Sequence, residues 1–276
     1  MFTLNCKGRL VMIEKPLVMG ILNINDDSFY NASRVHNTGD AALKAEQMIA
    51  GGADILDIGG QSTRPGSNRV SEEEEMQRVI PVIEMLAKKS ANVILSIDTY
   101  YASVAMGAVN AGASLVNDIS AGEMDANMLA TVASLGVPYI CMHMKGEPGT
   151  MHHDPQYENI TREVLDFFIN KINECRLAGI KDIIIDPGFG FGKTARHNLI
   201  LLRDLPVFNM LEKPVMTGIS RKSTIYKTLH IAVEDSLNGT TVFHTIALQN
   251  GATILRVHDV KEAKEAVTLF EAYGKA

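Results

Sequence analysis

Eight short apolar runs recur along the chain, at 17–24, 54–58, 93–97, 115–117, 139–142, 182–185, 214–217 and 254–257. They are rich in Val, Ile and Leu and lack a polar alternation, as expected of parallel strands buried on both faces. Between them the spacing turns helical, at 39–51, 72–89, 103–111, 127–135, 158–177 and 235–250, and residues 259–273 add a last helix. Ser71 followed by Glu74 predicts a capping box, with Glu72–Glu75 as a charged first turn. The pairs Gly51-Gly52, Ala111-Gly112, Ala178-Gly179 and Asn250-Gly251 place glycines where helices end, in the left-handed conformation that closes a helix. From Asn23 to Arg256 seven βα units average roughly 33 residues, the size of a βαβ repeat. No linker or low-complexity stretch interrupts them. The pattern predicts one domain spanning 1–276, a (β/α)₈ barrel rather than a doubly wound sheet. Residues 2–13 are expected to form a short hairpin closing the barrel bottom.

Composition narrows the classes. The net charge of −6 and a pI near 5.8 argue against a nucleic-acid or anionic-membrane partner, although a few local cations could still bind an acidic small molecule. Three widely spaced cysteines, Cys6, Cys141 and Cys175, offer neither a disulfide framework nor a zinc site, which points to a reducing compartment. The first 25 residues show no basic stretch followed by a long apolar run and cleavage site, so no signal sequence is expected, and no run reaches the roughly 18 apolar residues of a membrane helix. A soluble, cytoplasmic protein is the expectation.

In such a barrel the active site lies at the C-terminal ends of the strands, and in this chain those ends are polar. They read Asn23-x-Asn25-Asp26-Asp27-Ser28-Phe29, Gly59-Gly60-Gln61-Ser62-Thr63-Arg64-Pro65-Gly66, Asp98-Thr99, Asn117-Asp118 and Met142-His143-Met144-Lys145-Gly146. The last three read Asp186-Pro187-Gly188-Phe189-Gly190-Phe191-Gly192-Lys193, Ser220-Arg221-Lys222-Ser223 and Arg256-Val257-His258-Asp259. In this order the segments resemble the dihydropteroate synthase family over 17–259. GGQSTRPG, DPGFGFGK, SRKS and RVHDV carry the resemblance most specifically.

That resemblance implies condensation of a dihydropterin methyl diphosphate with 4-aminobenzoate, releasing diphosphate, in folate synthesis. The residue chemistry agrees. A pterin presents an edge of adjacent N–H donors, and a buried carboxylate accepts two parallel N–H bonds. Asp186 is the candidate, with Asp98, Asn117 and Met142 completing the pterin pocket and Lys222 donating to the pterin carbonyl and ring nitrogen. Thr63, Arg64, Arg256 and His258 offer donors of the kind that bind phosphate. Asn23 would ligate a Mg²⁺ on the diphosphate, since Mg²⁺ takes few protein ligands. By resemblance, Arg64, Pro65, Phe191, Ser220 and Lys222 would shape the 4-aminobenzoate pocket. Segments 25–37 and 61–69 would close over it, and the enzyme would be a homodimer. Thr63, Arg64, Lys222, Arg256 and His258 are the expected catalytic set, acting electrostatically without a covalent nucleophile.

Two positions depart from the family pattern: Asp26 stands where relatives often carry proline, and Gln61 where Glu is common. Two rivals share the barrel. A methyltransferase using methyltetrahydrofolate has no need of the Thr63/Arg64/Arg256/His258 cradle, and a non-catalytic pterin-binding paralogue would be expected to have lost part of it or Lys222. Gly192-Lys193-Thr194 mimics the end of a P-loop but lacks its first glycine, where Pro187 stands. Gly188-x-Gly190-x-Gly192 has the wrong spacing for a dinucleotide fingerprint. His143, His152, His153 and Asp154 show no clean metal-ligand spacing.

Overall fold

The computed structural model describes residues 1–24, 34–61, 69–90, 92–146, 151 and 154–276, the side chains of 34–38 excepted. An antiparallel hairpin of β1 (Phe2–Cys6) and β2 (Arg9–Ile13) precedes eight parallel strands. These are β3 (Leu17–Asn23), β4 (Ile55–Gly59), β5 (Ile94–Asp98), β6 (Leu115–Asp118), β7 (Tyr139–Met142), β8 (Ile183–Asp186), β9 (Met216–Thr217) and β10 (Ile254–Val257). They run in the order 8-7-6-5-4-3-10-9. A parallel bridge between Ile185 and Val215 closes the remaining seam, with the Ile185 N–H donating to the Pro214 carbonyl at 3.0 Å. The helices are α1 (Arg34–Ala50), α2 (Glu72–Lys89), α3 (Ala102–Ala111), α4 (Met128–Leu135), α5 (Ile160–Ala178), α6 (Ala195–Arg203), α7 (Ser223–Leu229), α8 (Leu237–Gln249) and α9 (Val260–Gly274). The eight apolar runs are thus the eight strands of the expected (β/α)₈ barrel, and Gly52, Gly112, Gly179 and Gly251 end helices with positive φ.

The differences have local causes. Helix α6 escapes the periodicity because Leu199–Leu202 is an unbroken apolar run, and its start is fixed by an unusual reciprocal cap. The Thr194 hydroxyl accepts from the His197 N–H at 3.2 Å while the His197 ring accepts from the Thr194 N–H at 3.3 Å, so histidine does the work usually done by Glu or Gln. At α2 only half of the expected capping box forms. The Ser71 hydroxyl accepts from the Glu74 N–H at 3.3 Å, but the Glu74 carboxylate turns to Arg78 at 2.6 Å. Glu75 is not part of a solvated first turn either; it is fully buried.

The main core lies between the strands and the helix layer, with Leu56, Ile58, Val79, Ile83, Val104, Val116 and Phe168 among its members. A second core fills the barrel floor. There Leu4, Cys6 and Ile13 of the hairpin pack on Met19, Ile55, Ile94, Leu115, Ile140, Ile184, Met216 and Ile254. The hairpin is fastened by the Asn5 N–H on Asp182 at 2.7 Å and by Lys7 Nζ on the Val109 carbonyl at 2.8 Å. Among the described residues, no helix is long and apolar enough to cross a membrane.

Leu4 is 1% exposed within this floor. Leu4→Ala is expected to cost about 2–5 kcal/mol of stability, the range for emptying a packed leucine site. Denaturant unfolding followed by circular dichroism checks it; a loss well below that range would mean that the hairpin does not plug the barrel.

Candidate active site

Successive strand residues point to opposite faces, so the next inward residue above the apolar floor lies two positions further on. Above Ile55 comes Asp57, above Leu115 Asn117, above Ile140 Met142, above Ile184 Asp186 and above Ile254 Arg256. One layer higher, Asn23 pairs with Gly59 and Gly59 with Asp98. Within two residues the barrel interior therefore changes from apolar to mixed, with Asp57, Asn117, Asp186 and Arg256 set among neutral residues such as Met142.

Arg256 sits at the centre of the ionic layer. Its Nε donates to Asp57 Oδ2 at 2.7 Å and its Nη2 to Asp98 Oδ2 at 2.5 Å. The same Asp57 oxygen accepts from Asn117 Nδ2 at 2.9 Å, and Oδ1 finds no hydrogen-bond partner among the described residues. Burial by itself would lower the Arg256 pKa, but the Asp57 and Asp98 carboxylates raise it above the ordinary value. Burial, with Asp57 and Asp186 near, pushes Asp98 up to about 7 despite the pull of Arg256.

Asp186 ends β8 almost fully buried, and its Oδ1 accepts the Gly188 N–H at 2.8 Å. Burial raises its pKa, partly offset by that N–H and by Lys222. The following loop is drawn tight by the Lys193 ammonium, which donates to the carbonyls of His143 (3.1 Å), Gly188 (2.9 Å) and Phe191 (2.9 Å). Lys193 is thus committed to the loop rather than offered to a phosphate, and burial holds its pKa well below the ordinary value. Two glycines permit the packing. A Cβ on Gly188 would lie 2.0 Å from the His143 carbonyl oxygen and one on Gly192 2.2 Å from that of Lys145, and both residues have positive φ.

Lys222 follows β9. Its ammonium donates to the Phe189 carbonyl and lies 4.4 Å from the centre of the Phe191 ring. Burial lowers its pKa to about 8, although Asp186 pulls the other way. Ser220 and His258 meet across the β9 and β10 loops: the Ser220 hydroxyl accepts from the His258 N–H at 3.2 Å and lies 3.2 Å from its Nδ1. Desolvation first, then Arg256, lowers the His258 pKa to about 4 even though part of the ring is exposed. Arg221 locks the two loops together through a bidentate pair with Asp259, at 2.8 Å on each arm.

Asn23, Asp98, Asn117, Met142, Asp186, Phe191, Ser220, Lys222, Arg256 and His258 all stand at this one end of the barrel. Thr63, Arg64 and Pro65 lie outside the described residues, as do 25–33, His152 and His153. Two of these cations have partners within the protein. Arg256, assigned from the sequence to the anion cradle, is spanned between Asp57 and Asp98. Lys222 is engaged by the Phe189 carbonyl. Sequence reasoning missed Asp57, although an aspartate inside the run Ile55-Leu56-Asp57-Ile58 was its signal. It also missed the structural role of Lys193. His143 is packed edge-on to Phe167 at 4.9 Å, and among the described residues no group of three or more His, Cys, Asp or Glu could hold a metal ion. Asn23, beside Gly59 and Asp98, offers a neutral amide oxygen, which fits a Mg²⁺ that takes most of its ligands from water and phosphate. Carboxylates deep and cations near the rim suit a ligand with an N–H-rich heterocycle at one end and an anion at the other.

Comparisons with known proteins converge on the same reading. The profile of the family described as pterin binding enzyme matches residues 19–258. The dihydropteroate synthase of Escherichia coli (strain K12) is 43% identical over 269 residues, covering 96% of this chain and 94% of that one. The Yersinia pestis dihydropteroate synthase in a sulfonamide drug complex superposes with a TM-score of 0.92 at 40% identity over 99% of both chains. The Xanthomonas albilineans dihydropteroate synthase with 4-aminobenzoic acid does so with a TM-score of 0.92 at 40% identity, over 99% of this chain and 98% of that one. With the barrel and its ionic mouth already in place, these similarities make the chain a member of the dihydropteroate synthase family of pterin-binding enzymes.

Proposed function

We propose that the protein condenses (7,8-dihydropterin-6-yl)methyl diphosphate with 4-aminobenzoate, forming 7,8-dihydropteroate and diphosphate for folate synthesis. The observation that carries the reading is the juxtaposition of recessed Asp186 with Lys222, Arg256 and His258 in one barrel mouth. Asp186 would accept two N–H bonds from the pterin edge, and Asn117 and Asp98 would hold the rest of the ring above Met142. Asp98 is shared: pterin N–H groups take over the acceptor that Arg256 now uses, and the guanidinium becomes available to the diphosphate. Lys222 would exchange the Phe189 carbonyl for the pterin.

The reaction breaks the C–O bond between the pterin methylene and diphosphate, whose oxygen keeps the electron pair. The methylene cation delocalises into the dihydropterin ring, the arylamine nitrogen attacks it, and the proton leaves to solvent. The residues act by position and charge: Arg256 and His258, with Thr63 and Arg64, would meet the charge that develops on diphosphate, and preorganised donors of this kind act most strongly where water is excluded. Mg²⁺, held on the diphosphate by Asn23 among other ligands, would supply further positive charge there. Ser220, Phe191, Arg64, Pro65 and the Lys222 stem would line the 4-aminobenzoate side.

Diphosphate release from the pterin substrate should depend on added 4-aminobenzoate. Release at the same rate without it, or none with both substrates, contradicts the proposal. Asp186→Asn should fold normally yet lose about tenfold or more in affinity for a pterin analogue, because an amide donor then opposes the pterin N–H groups (about 1–3 kcal/mol for a mispaired buried polar group). Calorimetric titration of the folded variant measures it; unchanged affinity places Asp186 outside the pocket.

The pH dependence has a definite sign. Asp98, pushed to about 7, must be ionised to accept pterin N–H groups, so kcat/KM should fall as pH drops below that value. Lys222, lowered to about 8, must be protonated to donate, so kcat/KM should also fall as pH rises above it. The bell reports free-enzyme groups, and Lys222→Arg should move the alkaline limb upward while leaving the acid limb. An alkaline limb unmoved in that variant would assign it to another group.

A further inference from the structure

Lys193 takes the Gly188 and Phe191 carbonyls of the loop after β8 but not that of Phe189. The Phe189–Gly190 peptide has other partners. Its carbonyl accepts from the Lys222 ammonium, and its N–H donates to Asn198 Oδ1 on α6 at 2.9 Å. The other end of the same amide, Asn198 Nδ2, donates to the Thr224 hydroxyl at 2.9 Å. A backbone N–H can only donate, so the amide oxygen must face Gly190 and the amide nitrogen Thr224. Thr224 stands in the first turn of α7, two residues beyond Lys222, and the Ile225 N–H donates to the Lys222 carbonyl at 2.8 Å as that helix begins. Asn198 and Thr224 are each 1% exposed, so both ends of the bridge are shielded from solvent. Gly190 has a φ of +87°, and a Cβ there would lie 3.1 Å from Lys222 Cδ, so the Lys222 stem runs directly over this peptide.

We infer that Asn198 is a positioning residue for Lys222: it holds both the peptide on which the ammonium rests and the helical turn from which the side chain springs. The inference deepens the proposed synthase activity, and its kinetic consequence rests on that reading. Its physical core is the freedom of Gly190. A glycine adopts either sign of φ with little cost, so nothing in the local chain keeps the Phe189 carbonyl aimed at Lys222. The Asn198 bond to the Gly190 N–H does. With that bond gone the peptide can turn, and the ammonium is left buried without its acceptor. A hydrogen bond made by the charged form favours that form, so its loss makes Lys222 easier to deprotonate. The charged and titratable groups facing Lys222 are Asp186, Asp98, Arg256, Lys193 and His258. None of them lies on α6, so a neutral substitution at 198 leaves their charges in place.

The test compares Asn198→Ala and the milder Thr224→Val with the wild type. It reads the pH titration of Lys222 by NMR of isotope-labelled lysine, the resonance being identified by its loss in Lys222→Arg, together with kcat/KM for the pterin diphosphate. In Asn198→Ala the Lys222 titration should move down by about one pH unit, the scale of one hydrogen bond to a charged group. For a group that titrates near 8 in the wild type, that shift lowers kcat/KM about eightfold at pH 8.5 and less than about twofold at pH 6.5. Thr224→Val should move both readings in the same direction by less. An unmoved Lys222 titration in folded Asn198→Ala overturns the positioning role; an equal loss of kcat/KM at both pH values beside it, with a lower Tm, would mark a purely structural asparagine. If Asn198→Ala does not fold, an unmoved titration in Thr224→Val overturns the role in its place. A wild type with no turnover would count against the proposed reaction instead, and the Lys222 titration then decides the inference alone.

Discussion

A guanidinium held between two carboxylates inside the barrel is the constraint on which the site depends. Taking Arg256, Asp57 and Asp98 out of water carries a large desolvation penalty, tolerable because each charge meets its opposite at hydrogen-bond distance. Removing one partner of such a group typically costs about 3–5 kcal/mol, since the survivor remains buried and unmatched. Asp57 also orients Asn117. One fully buried oxygen therefore fixes both a cation and an amide at the mouth.

Under the proposed function, ligand binding would be an exchange of partners. Asp98 and Arg256 satisfy one another, so a heterocycle with N–H donors would not bear the cost of an isolated carboxylate. It replaces one donor with another. The guanidinium released is then close to where a departing anion would gather charge. Lys222 would behave likewise, its ammonium resting on the Phe189 carbonyl and against the Phe191 ring.

The rim is shaped by backbone more than by side chains. Lys193 spends its charge on three carbonyls and draws the loop after β8 onto the end of β7, a fit possible only where Gly188 and Gly192 lack a Cβ. Gln61, just after β4, bonds the Val70 N–H and carbonyl through its side-chain amide. Arg221 joins the last two loops through Asp259. Each clamp holds a segment that bears candidate substrate contacts, so rigidity is supplied from behind the site rather than from within it.

By itself the sequence determined the parallel barrel, because buried strands must be continuously apolar and helices must repeat near every 3.6 residues, and both are local properties. It also determined which residues close each strand, and the order of those closing motifs was enough to place the chain in its family. Helix α6 was not legible, because its cap uses histidine and its apolar residues run together. Glu75 read as one more charge on an exposed first turn, since nothing in a run of four glutamates tells which one faces inward. Asp57 was hidden inside an apolar strand, and Lys193 looked like part of a phosphate loop. What only the tertiary structure decided is which charges meet. Arg256 reaches Asp57 across 199 positions and Asp98 across 158, and closure of the barrel brings them within hydrogen-bond reach, a distance that no local pattern encodes.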